Sequence, residues 1–364
     1  MARQALILIG TRKGLWIAKS DEERVAWTLQ GPDELRSEVH AVSVAPGEGG
    51  PRLFMASRHW HWGPQILHSD DLGQTWDRGV DGAIRFPEDT GRTLEAVWAI
   101  APSPTEPGVV WAGTEPSALF RSTDSGESFS MVRPLWDHPH REEWGAGFGG
   151  QAIHTVLPHP DDPQQVTVAM STGGVYRTAD GGSSWAPANE GISAGFMPED
   201  MQYPEFGQCV HKVARDASDP NRLFAQNHGG VFRSDDGADS WTSIADGLPS
   251  DFGFPVVAHP RSSGTVYLFP LEGADGRFPP DGTCRVWRSG DAGETWDELS
   301  KGLPDGGFYS GVMRDAMCVD QGDPAGVYFG SRDGSVFASN DEGDSWRAVA
   351  EHLPDVLCVR AAVI

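Results

Sequence analysis

Paired cysteines, long apolar runs, basic charge and helical periodicity are all scarce in this chain, and each scarcity excludes something. Its four cysteines, Cys209, Cys284, Cys318 and Cys358, lie far apart with no CxxC spacing. That argues against a disulfide framework and against a cysteine-built zinc site. The apolar stretch Ala5–Ile9 is too short for an export signal and far below the roughly 20 residues that span a bilayer. We therefore expect a cytoplasmic protein with no membrane contact. Lys and Arg number 28 against 52 Asp and Glu, a formal net charge of -24. Such a chain repels phosphate backbones, so nucleic acid is not an expected partner.

What the chain has in quantity is glycine (45), proline (27) and tryptophan (14), which suits many short strands joined by turns. It also has a repeat. The pattern Ser/Thr, any, Asp, any, Gly, any, Ser/Thr, aromatic is best seen in Ser289 to Trp296; we call it the box. Copies end at Trp76, Phe129, Trp185, Trp241, Trp296 and Trp346, and a degenerate copy runs from Ser20 to Trp27. Successive terminal aromatics are 49, 53, 56, 56, 55 and 50 residues apart. The copy ending at Trp241 has Ala238 at the glycine position and Gly237 one residue early, which reads as a slipped turn.

Seven repeats of about fifty residues indicate a propeller. Each repeat divides into four strands, A to D, with the box joining C to D. The expected fold is all-β: one seven-bladed β-propeller spanning 1–364. Its inner A strands begin near Glu38, Glu95, Gln151, Cys209, Phe254, Met313 and Val356. The first blade is built from 5–29 plus 355–364, so the C-terminal strand A pairs with N-terminal strands B to D and leaves no open edge. Long connections at 80–94, 133–150 and 189–208, with a B-to-C insertion at 271–284, all belong on one face, and loops on a rigid scaffold are where function concentrates.

The boxes resemble the Asp-box, or BNR, motif, and the chain is similar to Asp-box propellers of the sialidase-like superfamily, in a glycosyl-hydrolase-like branch. That grouping includes sialidases, xyloglucan-degrading glycosidases, sortilin-type receptor domains and photosystem assembly factors. The resemblance covers the whole chain and implies that the boxes are structural turns on the face away from an active site. The chain departs from sialidases in having seven blades and no Arg-Ile-Pro. A tyrosine and glutamate nucleophile pair finds only Tyr203 and Glu205 as a counterpart.

Superposing the repeats locates departures from the template. The A strands place Trp98, His154, His211, Asp315 and Arg360 where an aliphatic residue would serve packing, with Glu95 close by. The B-to-C turns place Arg12, Arg58 and Arg332 at one position. Guanidinium groups from several blades fork onto a carboxylate or phosphate, while carboxylates and histidines hold or move protons. We therefore take Glu95, Asp315 and His211 as catalytic candidates, and Arg12, Arg58, Arg332, Arg360, Trp98 and His154 as ligand-binding candidates. The alternative is that polar residues of a wet channel merely pair with one another.

Trp60, Trp62, Trp136, Trp144 and Phe148 read either as stacking walls for a sugar or planar ligand or as residues that pack the loops down. No cofactor is expected, because Gly145 to Gly150 precedes a strand and is not a phosphate loop. For a metal ion the weak candidates are His154 and His211. The expected activity is that of a glycosidase-like hydrolase binding a small anionic molecule or glycan at the channel mouth; the other reading is a non-catalytic platform gripping a partner protein with its long loops.

Overall fold

The structure, a computed structural model, describes residues 4–47, 49–78, 83–146, 150–195, 197–273 and 275–364. The strands form seven four-stranded antiparallel sheets, the blades of a β-propeller that is nearly all β. Burial follows strand position. The second strand of blade 3, Val110–Glu115, is buried almost throughout, whereas the outer strand of blade 2, Asp77–Arg78, is exposed. Inner strands covered on both sides need continuous apolar runs; outer strands need only turn chemistry and a short ladder.

Two compact units make up the chain. One comprises Met1–Asp33, Glu190–Tyr203 and His211–Ile364, and carries the closing blade and blades 5 to 7. In the closing blade Val356–Val363 pairs antiparallel with Ala5–Thr11, followed by Gly14–Ser20 and Trp27–Asp33. The expected pairing of the two ends is therefore found. Its fourth strand runs past the expected limit at 29, and it starts only at Trp27 because the Asp21 carboxylate accepts the Val25 and Ala26 N–H groups at 2.8 and 3.1 Å and bends 21–26 into a turn.

A second difference concerns blade 7. Its inner strand is Met317–Val319 and does not start near Met313. The chain turns at Met313, where Ala316 N–H donates to its carbonyl, and Asp315 forms only an isolated bridge to Cys358. The core of this unit joins Ile7 and Ile9 to Phe269, Phe329, Tyr328 and Trp346.

The other unit comprises Glu34–Asn189 and Pro204–Val210 and carries blades 2 to 4. Its cores centre on Phe54, Phe120 and Ile100, and on Trp111, Val168 and Tyr176. The loop 133–150 holds a four-residue helix, Arg133–Trp136, with Pro134 in its first turn, and a 3-10 segment, Pro139–Glu143.

The six well-formed boxes fold the same way, the degenerate Ser20–Trp27 copy apart. Ser289 Oγ donates to Asp291 Oδ1 at 2.8 Å and accepts the Gly293 N–H at 2.8 Å. Asp291 then accepts the Thr295 N–H at 2.9 Å and hydroxyl at 2.6 Å. Trp296 Nε1 donates to Ile244 O at 3.0 Å, tying this turn to the preceding blade. The box ending at Trp241 has not slipped: Ala238 N–H reaches Ser234 Oγ at 2.8 Å, in the same register as its counterparts. It keeps that register by holding Ala238 at φ 78°, a left-handed conformation in which the other boxes use glycine.

Candidate functional site

In the four-blade unit, several polar candidates meet. His211, on the strand Val210–Arg215, is buried at 4% exposure. Its Nδ1 lies 2.6 Å from the Gly253 carbonyl, so that nitrogen carries the proton and Nε2 is left with a lone pair. Its ring stacks on Phe254 with centroids 4.8 Å apart and meets His228 edge-on at 5.5 Å. Burial, then the positive charges of Arg314, His228 and Arg277, push His211 down to about 3, so the imidazole is neutral at ordinary pH.

The next residue, Lys212, reaches Asp315, with Nζ 2.5 Å from Oδ1. Arg360 approaches the same oxygen at 4.0 Å. Asp315 Oδ2 is buried and has no hydrogen-bond partner among the described residues. Burial lowers the Lys212 pKa, while Asp315 opposes that fall. One oxygen of the Asp315 carboxylate is thus fixed by an ammonium, and its twin is buried.

Arg12 and Arg332 do come together, on one carboxylate. Arg12 Nε lies 2.9 Å from Asp355 Oδ2, and Arg332 Nη2 lies 2.8 Å from the same atom. The Asp355 contact raises the Arg332 pKa. Both guanidiniums are about half exposed, so each retains donor edges toward solvent.

The three-blade unit holds the rest. Glu95 is exposed, and its N–H donates to Glu115 O at 2.8 Å. Trp98 Nε1 donates to Glu115 Oε2 at 2.8 Å, and its ring lies 4.9 Å from that of His40. His40 in turn meets Glu38 at 3.2 Å. Arg58 is exposed at the end of the strand Arg52–His59. His154 is fully buried, with Nδ1 3.2 Å from Thr155 Oγ1, which is the environment of a packed core histidine.

The loop aromatics divide into two groups. Trp136 and Trp144 are buried and pin their loop; Trp144 Nε1 donates to Tyr176 OH at 3.0 Å. Trp60 and Trp62 are 71% and 64% exposed at the turn after Arg52–His59. His59 Nδ1 accepts the N–H groups of His61 and Trp62, both at 3.1 Å, and so fixes that turn. Phe148 and part of the loop 80–94 lie outside the described residues.

A cavity of about 620 Å³ in this unit lies beside two boxes, lined by Pro46, Arg52, Asp70, Pro102, Asp124 and Glu127. Arg52 bridges Asp70 and Glu127 at 2.6 and 3.1 Å, so its main charges satisfy one another.

Sequence reasoning missed Lys212, Arg277 and Arg314 as members of a site. Arg277 sits in the B-to-C insertion singled out as elaborated, and Lys212 and Arg314 neighbour two selected residues. Strand alternation assigns such neighbours to the opposite face, which hid them.

No protein-family model matches the chain. It is 27% identical over 328 residues to an oligoxyloglucan-reducing end-specific xyloglucanase of Emericella nidulans, across 83% of this chain and 37% of that protein. It is 25% identical over 264 residues to the xyloglucanase Xgh74A of Acetivibrio thermocellus, across 64% of this chain and 29% of that one. The chain thus spans only 37% and 29% of the length of these two relatives. Among solved structures, an ancestral GH74 enzyme matches 86% of this chain and 38% of its own, with TM-score 0.59 and 18% identity. YCF48 from Cyanidioschyzon merolae matches 87% of each chain, with TM-score 0.53 and 18% identity. These structural likenesses concern the fold. The chain is a seven-bladed β-propeller with sequence similarity to GH74 xyloglucanases over most of its own length.

Proposed function

We propose that this chain is a glycosidase-like hydrolase that receives a glycan on its loop face, with Trp60 and Trp62 as the stacking surface. The observation that carries the reading is the exposure of these two indoles on a turn that His59 holds rigid. Two large aromatic side chains left in water on a fixed turn suit the apolar faces of sugar rings, and a fixed turn loses little entropy on binding. Similarity to xyloglucanases supports a glycan as the ligand class.

A separate part of the proposal concerns the four-blade unit by itself: there Asp315 is the candidate carboxylate for proton transfer, because Lys212 occupies Oδ1 and Oδ2 has no protein partner among the described residues. His211, neutral with Nε2 unprotonated, is the candidate proton acceptor. The anionic group expected on the ligand falls in that unit to Arg12 and Arg332.

Titration with xyloglucan oligosaccharides tests this. Trp60→Ala with Trp62→Ala should abolish binding without changing the melting temperature, since both side chains are mostly in solvent. Asp315→Asn should keep binding and stop release of new reducing ends. Wild-type protein that neither binds nor cleaves these glycans would overturn the proposal.

A further inference from the structure

Arg133 ties two loops of the three-blade unit together. Its Nη2 lies 2.8 Å from Asp89 Oδ2, in the 3-10 segment Glu88–Thr90, and its Nε lies 3.2 Å from Asp137 Oδ2, just past its own helix. Two further arginines stand on the loops so joined: Arg92, two residues beyond Thr90, and Arg141, in the segment Pro139–Glu143. Their charges are not met in the same way. Among the described residues neither guanidinium forms a hydrogen bond or an ion pair.

Arg141 is nevertheless held in place. Its guanidinium carbon lies 3.4 Å from the centroid of the Trp136 ring, a buried indole that Phe86 meets edge-on at 5.5 Å. Contact with the ring face fixes the plane of the guanidinium. Nε is cut off from water and has no acceptor, while the terminal nitrogens keep access to solvent. Arg92 is exposed. Packing on Trp136 accounts for neither the second arginine nor the fork left without an acceptor.

The electrostatics show the same surplus. Burial lowers the Arg141 pKa, the Arg92 charge lowers it further, and Asp137 opposes them with a smaller effect. A guanidinium stays protonated through such shifts, so all its N–H groups remain donors. Asp137 already holds Arg133. Glu88, Glu142 and Glu143 lie on the same segments, and none of them bears on Arg141. Two like charges thus face each other without a counter-charge of their own, and an oxyanion between them turns that repulsion into attraction. Planar forks of this kind suit the paired oxygens of a carboxylate or a phosphate.

We infer that Arg141 and Arg92 form a binding site for the oxyanion group, carboxylate or phosphate, of a small ligand, with the Arg141 fork set by Trp136 and the two loops joined by Arg133. The site uses none of the residues assigned under the proposed function, so either reading can fail without the other.

Titration of the full chain with inorganic phosphate, glucuronate and glucose at constant ionic strength decides it, followed by calorimetry and by the NMR signals of the arginine Nε–H groups. Phosphate, glucuronate or both should bind saturably and shift the Arg141 Nε–H signal; glucose should do neither. Affinity should fall as sodium chloride is raised. Arg92→Met should weaken the bound anion by about tenfold or more, with Arg92→Lys in between, because an ammonium keeps the charge and loses the fork. Arg141→Met should act in the same direction. Should that replacement over Trp136 unfold the chain, the exposed Arg92 variants carry the test. Arg36→Met removes another exposed arginine of the same unit and should leave affinity unchanged. Binding of phosphate alone assigns a phosphate, and binding of glucuronate alone a carboxylate. The inference is overturned if neither anion binds, if glucose binds equally well, if folded Arg92→Met binds like the wild type, or if Arg36→Met loses as much affinity.

Discussion

Ile9 lies opposite Val359 in antiparallel register, so the closing blade takes its innermost strand from the far end of the chain. Val356, Cys358 and Val359 are buried there, and Ala5–Thr11 is buried at every position. Removing Asp355–Ile364 would expose both an apolar strand and an unpaired edge. It would also leave Arg12 and Arg332 without Asp355. We expect this truncation to yield aggregated or unfolded protein. A soluble, cooperatively melting truncated chain in circular dichroism and gel filtration would contradict that.

The boxes predict a pH dependence. Asp71, Asp180 and Asp291 are each pulled down from 3.8 to about 2, first by the hydroxyl of Thr75, Ser184 or Thr295 and then by further hydrogen bonds within the turn. A carboxylate whose folded pKa is depressed stabilises the fold fully above its unfolded value. That contribution is lost as pH falls from 3.8 through about 2. Asp291→Asn should therefore be less stable than wild type at neutral pH, and the difference should shrink as pH approaches 2. Urea midpoints measured at several pH values check this; a gap that stays constant would exclude the mechanism.

Ala238 holds a left-handed conformation at the position where the other five well-formed boxes have glycine. Its φ of 78° costs about 1–2 kcal/mol for a residue with a Cβ, set against about 0.8 kcal/mol for the buried methyl. Ala238→Gly should thus stabilise the protein by about 0.5–1 kcal/mol. Gly293→Ala should do the reverse, since a Cβ there would lie 2.6 Å from Ile244 Cδ1. Thermal melts of the two variants should move in opposite directions.

The blades are legible in the sequence because every box marks one C-to-D turn and fixes the phase of the strands on either side. Asp291 and Thr295 are close in the chain, so their bonding needs no tertiary information. The Asp315 region is not legible in this way. Met313 to Ala316 reads as the start of a strand, yet the chain turns there, while Lys212 holds the Asp315 side chain from another blade. The convergence of Arg277 and Arg314 on Phe254 is hidden for the same reason: it depends on how an insertion folds back, which no local periodicity records. Repeat alignment puts Arg12 and Arg332 at equivalent turn positions and does not show that Asp355 lies between them.

A last prediction concerns a buried charge that joins the N-terminal segment to blade 7. Asp320 has a fully buried side chain. It accepts the Arg24 Nη1 at 3.0 Å, the Tyr328 hydroxyl at 2.6 Å, and the N–H groups of Gly322 and Gly326 at 2.7 and 2.8 Å. Burial of the phenol, reinforced by the Asp320 charge, pushes the Tyr328 pKa up, so Tyr328 stays a donor at every ordinary pH. Arg24→Ala strands a carboxylate away from water with its other three donors intact, and should cost about 3 kcal/mol. Tyr328→Phe removes one charge-assisted hydrogen bond and should cost about 1.5–3 kcal/mol. Both act on one carboxylate, so their effects should not add; a double-mutant cycle should return a coupling of about 0.5 kcal/mol or more. Simple additivity in denaturant unfolding would mean that Asp320 is held by its backbone donors alone.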